Sequence, residues 1–288
     1  MIRSLATAPQ KHYRLFEVRK RSGGIRLISA PRTFLKVVQW WVLDTILENS
    51  SDLPFVYGFS RGRSFIDNAK AHQGCNHLLN VDVKDFFPSL SHSKVRDVFC
   101  ALGYSYKVSN FMADLCTLDG ALPQGAPTSP KISNMILAEC DIHLRNLAQS
   151  HGATYTRYAD DLTFSSYSRI PDSFVQRIEE HFLPLGLQLN KAKTKFMGTN
   201  QMKEVTGLVL ARDGVALNRR YLNGTRGWFH SISQYPELFK DQLARVLGTM
   251  NLVQQVGGRG SDRILQQGRM AVLSLKAISP PRLEWGAD

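Results

Sequence analysis

Residues 153–167 read ATYTRYADDLTFSSY, two runs of β-forming residues that meet at Ala159-Asp160. Thr, Tyr and Phe favour extended backbone and Asp favours turns, so the stretch predicts a hairpin with Asp160 and Asp161 at its tip. A second stretch, HLLNVDVKDFF from His77, places Leu79, Val81 and Val83 on one face of a short strand and Asp82 on the other. An Asp pair at a turn is ordinary by itself. An apolar strand that presents Asp82 and then the aromatic pair Phe86-Phe87 is a poor place for an idle carboxylate.

Three carboxylates drawn together would repel one another unless divalent cations neutralise them. Hard oxygen ligands suit Mg²⁺, with Mn²⁺ as a substitute; Mg²⁺ takes few protein ligands and completes its shell with water and substrate phosphates. Two such ions about 3.5–4 Å apart can activate an attacking 3′-hydroxyl and stabilise a pyrophosphate leaving group. Asp82, Asp160 and Asp161 are therefore the candidate metal ligands and catalytic residues.

The rest of the chain is read outward from these two stretches. Residues 12–30 alternate β-formers around Ser22-Gly23-Gly24 and predict a protruding basic hairpin. LKVVQWWVLDTILENSS has helical spacing, whereas residues 57–77 read as a polar, glycine-containing passage. Residues 91–118 are helical with a break near Gly103-Tyr104, and LPQGAPTSPKISN passes from a turn into a long helix starting at Ser129 or Pro130. A helix over 171–184, a strand near LQLN and a third hairpin with Asp213-Gly214 at its turn follow. The remainder is helical and basic, with Gly224 and Gly227 weakening any continuous helix there.

Lys plus Arg outnumber Asp plus Glu by 36 to 24, giving a net charge of +12 and a pI near 9.7, which favours a polyanionic partner. Cys75, Cys100, Cys116 and Cys140 are scattered without a CxxC pair, so they suggest neither a zinc site nor a disulfide framework and read as buried reduced thiols. No run of 18 apolar residues occurs and the N-terminus lacks a secretory signal, so a cytoplasmic protein with no membrane partner is expected.

NVDVKDFFPSL, LPQGAPTSPKISN and TRYADDLTFS stand in the order and approximate spacing of the palm and finger motifs of the reverse transcriptases. Over roughly residues 12–215 the chain resembles that family, specifically its bacterial retron-type branch. Asn68-Ala69-Lys70-Ala71-His72 is similar to the branch's NAxxH pattern, and Val205-Thr206-Gly207 to its VTG pattern. The resemblance implies an α+β right-hand polymerase, with an antiparallel palm sheet backed by helices and a short helical thumb. Its implied divisions are fingers over 1–78, palm over 79–97, finger and palm helices over 98–152, palm over 153–214 and thumb over 215–288.

The same resemblance implies roles for individual residues. Phe87, five positions after Asp82, is similar to the bulky gate beneath the sugar of an incoming nucleotide, with core packing as the alternative, chiefly for Phe86. Gln124 with Gly125 looks like the segment that contacts nucleotide and template. Lys20 and Arg26 resemble the cations over the triphosphate, and Lys193 the lysine near the leaving phosphate; a solvated basic surface is the other reading of each. Asn68 and His72 stand between a structural role and RNA contact. Val205, Thr206 and Gly207 look like part of the primer grip, and Arg219, Arg220, Arg226 and Arg259 are phosphate-contact candidates that read equally well as solvated charges.

Implied substrates and partners are a cognate structured RNA serving as template and primer, its DNA product, deoxynucleoside triphosphates, a host RNase H and an accessory effector protein in anti-phage defence. Two further readings remain open at this point: another stand-alone defence-associated bacterial reverse transcriptase, and a non-catalytic RNA-binding protein of the same fold.

Overall fold

The computed structural model describes residues 8–19, 23–212, 214–258 and 260–278. Lys20 and Arg259 lie outside the described residues. The chain divides into two compact units, Met1–Gln201 and Met202–Asp288.

In the first unit, β1 (Tyr13–Arg19) and β2 (Ile25–Pro31) form the antiparallel basic hairpin. Helix α1 (Thr33–Val42) follows and runs into a π-helical turn, Leu43–Leu47. The passage read as polar and irregular contains a helix, α2 (Phe65–Lys70). It is started by a capping box in which Ser64 and Asp67 exchange hydrogen bonds, a four-residue signal easily lost among glycines. Then come β3 (His77–Asp82), α3 (His92–Ala101) and α4 (Tyr106–Cys116), the two helices separated where Gly103 interrupts the pattern. Helix α5 (Ser129–Ser150) has Pro130 in its first turn, where a missing N–H costs nothing.

Strands β4 (Ala153–Tyr158) and β5 (Asp161–Ser166) form the expected hairpin, followed by α6 (Ser173–Phe182) and β6 (Lys195–Met197). The strand expected near LQLN is not formed. Only an isolated bridge, Val83 to Leu189, occurs there, and Lys195–Met197 takes the edge of the sheet instead. The sheet order is β4-β5-β3-β6, every pairing antiparallel.

Strand parity divides this sheet into two chemically different faces. Leu79, Val81, Leu162, Phe164 and Tyr155 point into the main core against α5 and α6, which supply Ile132, Leu137, Leu144, Phe174 and Ile178. Burying each such side chain stabilises the fold by about 1.5–3 kcal/mol. The opposite face carries Asp82, Asp161, Asn80, Thr163 and Thr156. Cys116 and Cys140 are buried, but Cys75 and Cys100 are only partly so; none of the four is in a disulfide.

In the second unit, β7 (Glu204–Val205), β8 (Leu208–Ala211) and β9 (Gly214–Leu217) make a three-stranded antiparallel sheet. Asp213, expected in the β8–β9 turn, lies outside the described residues. Helices α7 (Arg219–Gln234), α8 (Leu243–Val256) and α9 (Ser261–Ile278) complete it. Contrary to expectation, α7 continues through Gly224 and Gly227. Asn218 caps its start through a 3.0 Å bond from the Tyr221 N–H, and Thr225, Phe229 and Ile232 bury one face, so capping and packing override the glycine penalty. Gly268 on α9 admits Met250 and Phe229, whose atoms would lie 2.7–2.9 Å from an added Cβ. No described helix is long and apolar enough to cross a membrane.

Candidate active site

Asp82 ends β3 directly opposite Asp161, the first residue of β5, and the Val83 N–H donates to the Asp160 carbonyl at 3.0 Å. These ladder contacts bring Asp82 and the sequence-remote pair Asp160-Asp161 to one end of the polar face. Asp82 is 6% exposed, Asp160 half-buried and Asp161 exposed. Lys193 reaches the cluster from the segment before β6, its Nζ donating to Asp82 Oδ2 at 2.8 Å.

The electrostatics follow from this crowding. Burial raises the Asp160 carboxyl, and the charge of Asp82 raises it further, while Lys193 and Arg26 oppose the shift. Asp161 is pushed up to about 7 by removal from bulk water, then by Asp160 and Asp82. Solvent still reaches Asp161, so the like charges are the part of that shift with physical weight. Lys193 is held in its charged form, chiefly by its hydrogen bond to Asp82.

Among the described residues no three His, Cys, Asp or Glu side chains form a ready-made metal cage. The donor set nevertheless fits hard divalent cations. Carboxylates that lift one another's proton affinity gain from a cation, and Mg²⁺ needs only one or two of them when waters and phosphates complete its shell. Asp82 and Asp160 would hold the ions, with Asp161 beside them.

A buried network sets the hairpin tip. Arg157, fully buried, grips Asp141 of α5 with Nε and Nη2 (2.6–3.1 Å), donates from Nη1 to Asn134 Oδ1 and donates again to the Ala159 carbonyl, both at 3.1 Å. The Tyr155 hydroxyl also donates to Asp141, at 2.6 Å. Ala159 has φ 58°, a region L-residues rarely adopt, and its carbonyl is thereby fixed just ahead of Asp160. On the outer side, Tyr57 and Gly58 N–H groups donate to the Arg157 carbonyl, and Asn134 Nδ2 donates to the Gly58 carbonyl at 3.0 Å. Gly58 abuts the tip so closely that a Cβ would lie 2.1 Å from the Ala159 nitrogen.

Sequence reading missed Arg157, Asp141, Asn134 and Gly58. The available signal was parity: Arg157 shares the inward face of β4 with Ala153 and Tyr155, where an unpaired charge would be untenable.

Other expected residues distribute unevenly. Phe87 is half-buried, its ring centroid 5.2 Å from that of Phe86, which is in the core. The Ser29 N–H donates to the Gln124 carbonyl at 2.8 Å, and Gly125 (φ 131°) admits Ser29 and Ile28 of β2, so this turn is tied to the hairpin that carries Arg26. Asn68 and His72 are buried at 0% and 1%, which favours the structural one of the two roles left open for them. His72 bonds Ser165 Oγ and Thr156 Oγ1, both at 2.7 Å, fastening the end of α2 onto β4 and β5; burial lowers its pKa to about 3.

In the second unit, Thr206 and Gly207 (φ 49° and 83°) are the two-residue turn between β7 and β8, with buried Val205 just before it. Positive φ at both positions is the type I′ hairpin pattern, which explains the glycine. Arg219 and Arg220 are exposed in the first turn of α7, and Arg226 is half-buried about two turns further along.

The sequence profile described as reverse transcriptase (RNA-dependent DNA polymerase) matches residues 18–213. The retron Ec86 reverse transcriptase of Escherichia coli is 35% identical over 92% of this chain and 82% of its own length. The retron Mx65 reverse transcriptase of Myxococcus xanthus is 33% identical over 89% of this chain and 64% of its own. Among solved structures, apo telomerase from Candida tropicalis superposes with a TM-score of 0.51 at 10% identity, covering 92% of this chain and 57% of that one. That likeness concerns the fold alone, an α+β right-hand polymerase. With its Asp82–Asp161 pairing, the match over residues 18–213 and 35% identity across most of a retron enzyme, the chain belongs to the reverse transcriptases, RNA-directed DNA polymerases, in their retron branch.

Proposed function

We propose that this polymerase synthesises single-stranded DNA on a cognate structured RNA by a two-metal mechanism at Asp82, Asp160 and Asp161. The observation that carries the reading is the register pairing of Asp82 with Asp161, with Asp160 adjacent at the tip. Bound Mg²⁺, with Mn²⁺ as a substitute, supplies charge neutralisation and activation of the primer hydroxyl. Asp82 and Asp160 would hold the cations, with Asp161 beside them. Lys193, whose ammonium donates to Asp82 Oδ2, would offer that charge to the leaving phosphates. Arg26 and Lys20 meet the triphosphate, Gln124 the nucleotide and template, and Phe87 excludes a 2′-hydroxyl by steric contact beneath the sugar.

On this reading residues 1–78 and 98–152 supply the fingers and their supporting helices. Residues 79–97 and 153–214 form the palm, and 215–288 the thumb, where Arg219, Arg220 and Arg226 contact duplex phosphates. As a retron enzyme it starts from a 2′-hydroxyl of its RNA and leaves DNA joined to RNA. A host RNase H removes the copied template, and the product acts with an accessory effector protein in anti-phage defence.

Asp160→Asn tests the site. Primer extension with Mg²⁺ and deoxynucleotides on the RNA that co-purifies should be abolished, while RNA retention and folding persist. Synthesis by the variant would overturn the assignment. Sequencing the nucleic acid bound to the wild-type protein should return a branched RNA–DNA hybrid; unbranched products would overturn the priming reading alone.

A further inference from the structure

Phe59 is anomalous in three respects at once. It is a bulky residue with φ 63°, a conformation that costs free energy for any side chain with a Cβ. Its ring is 43% exposed, so core burial does not account for it. Its ring centroid also stands 5.9 Å from that of Phe87, with the planes tilted by 39°.

The backbone just before Phe59 explains how the strain is held. Tyr57 and Gly58 are pinned to the Arg157 carbonyl, the Gly58 carbonyl is pinned by Asn134, and Gly58 is wedged against Ala159. The loop is thus fastened to the hairpin that carries Asp160. The left-handed turn at Phe59 then stands its ring beside Phe87. Three rings result, running from the core outward: Phe86 buried, Phe87 half-buried and Phe59 exposed.

We infer that Phe59 is a positioning residue for nucleotide choice, an outer aromatic stop that keeps the Phe87 ring from swinging away from the sugar pocket. The inference rests on the reading of Phe87 as the sugar gate. A gate excludes a 2′-hydroxyl only while it cannot yield. Phe86 limits its movement on the core side, and on the solvent side Phe59 is the aromatic side chain in contact. Strain concentrated at an exposed residue beside a reacting centre is where a geometric constraint is maintained by the surrounding fold.

Steady-state incorporation of deoxy- and ribonucleotides on an RNA template tests this. Phe59→Asn and Phe59→Gly both accept the left-handed backbone and delete the ring, so loop conformation is preserved. Each should reduce the deoxy-over-ribo preference in kcat/KM by about tenfold, the scale on which one aromatic pair acts. The change should come through ribonucleotide gain. Phe59→Tyr should retain the preference. Phe87→Ala should relax it further, and adding Phe59→Asn to Phe87→Ala should change nothing more. An unchanged preference in both Phe59 variants, with Phe87→Ala relaxed, overturns the role of Phe59 and leaves the gate standing. Equal losses for both sugars, or effects that add in the double variant, also overturn it. An unchanged preference in Phe87→Ala overturns the gate reading and this inference together.

Discussion

Arg157 donates from Nη1 to the carbonyl oxygen of Ala159, at 3.1 Å, and in doing so joins a fully buried cation to the residue before the Asp160-Asp161 pair. The other arm of the guanidinium is clamped to Asp141 on α5. A rigid helix of the core therefore sets the height of the hairpin tip. Removing one partner of such a pair leaves an uncompensated buried charge, which costs about 3–5 kcal/mol. Arg157→Met should lose stability of that order in urea denaturation. Adding Asp141→Asn, which removes the stranded charge, should recover part of it. A double variant no more stable than Arg157→Met would show that the charge pair is not what stabilises the tip.

His72 gives the fold an acid-sensitive component. Its folded-state pKa, lowered to about 3 by burial, lies below the ordinary 6.5, so between these values the unfolded chain binds a proton that the folded chain refuses. Stability from this residue is complete above pH about 6.5 and falls as the pH drops toward 3, by up to about 1.4 kcal/mol per pH unit. His72→Gln has no such proton to bind. Its unfolding free energy should therefore fall less steeply than that of the wild type between pH 6.5 and 4, although its value at pH 8 is lower for want of the Ser165 and Thr156 bonds. Parallel curves would assign the acid loss to carboxylates instead.

How much of this could be read beforehand differs by the kind of signal. Period-two alternation located β3 and the β4–β5 hairpin, and parity alone put Asp82 on the face away from Leu79 and Val81, as the ladder has it. Long helices announced themselves by spacing and by Pro130. Short elements did not: α2 depends on one capping box, and the edge position of the sheet went to Lys195–Met197 rather than to the regularly alternating LQLN. Edge choice depends on where the chain can return, which no local pattern encodes. Nor does a sequence reveal that Arg157 will find Asp141, since the partner lies on another element. The sequence left Asn68 and His72 between a structural role and RNA contact because a polar passage does not show which of its side chains α2 folds inward.

Lys193 occupies Asp82 at 2.8 Å while remaining 55% exposed, so the same carboxylate is contested by a side-chain cation and by any divalent ion. Lys193→Gln removes the competitor. Half-maximal Mg²⁺ for primer extension should fall, while the maximal rate drops if Lys193 serves the leaving phosphate as proposed. The two parameters move in opposite senses for catalytic fitness, which a general loss of folding would not produce. A rise in the Mg²⁺ requirement would mean that Lys193 helps assemble the metal site instead of competing for it.

Gly58 offers the sharpest test of how closely the tip must be held. An added Cβ would stand 2.1 Å from the Ala159 nitrogen and 2.8 Å from the Tyr158 carbonyl carbon, and neither backbone atom can rotate aside. The strand end, or the 57–58 segment, must shift by on the order of 1 Å to restore ordinary contact, and overpacking of this kind costs about 1–3 kcal/mol. Misplacing reacting groups by that distance slows chemistry by about a hundredfold. Gly58→Ala should therefore remain folded, with a modest fall in the denaturation midpoint, yet lose about two orders of magnitude in kcat with little change in KM for the nucleotide. Gly62→Ala, where a Cβ meets nothing within 4 Å although φ is +74°, controls for backbone strain alone: it should cost stability without the kcat loss. Equal kcat in the two variants would mean that the contact between Gly58 and Ala159 does not set the geometry of the carboxylates.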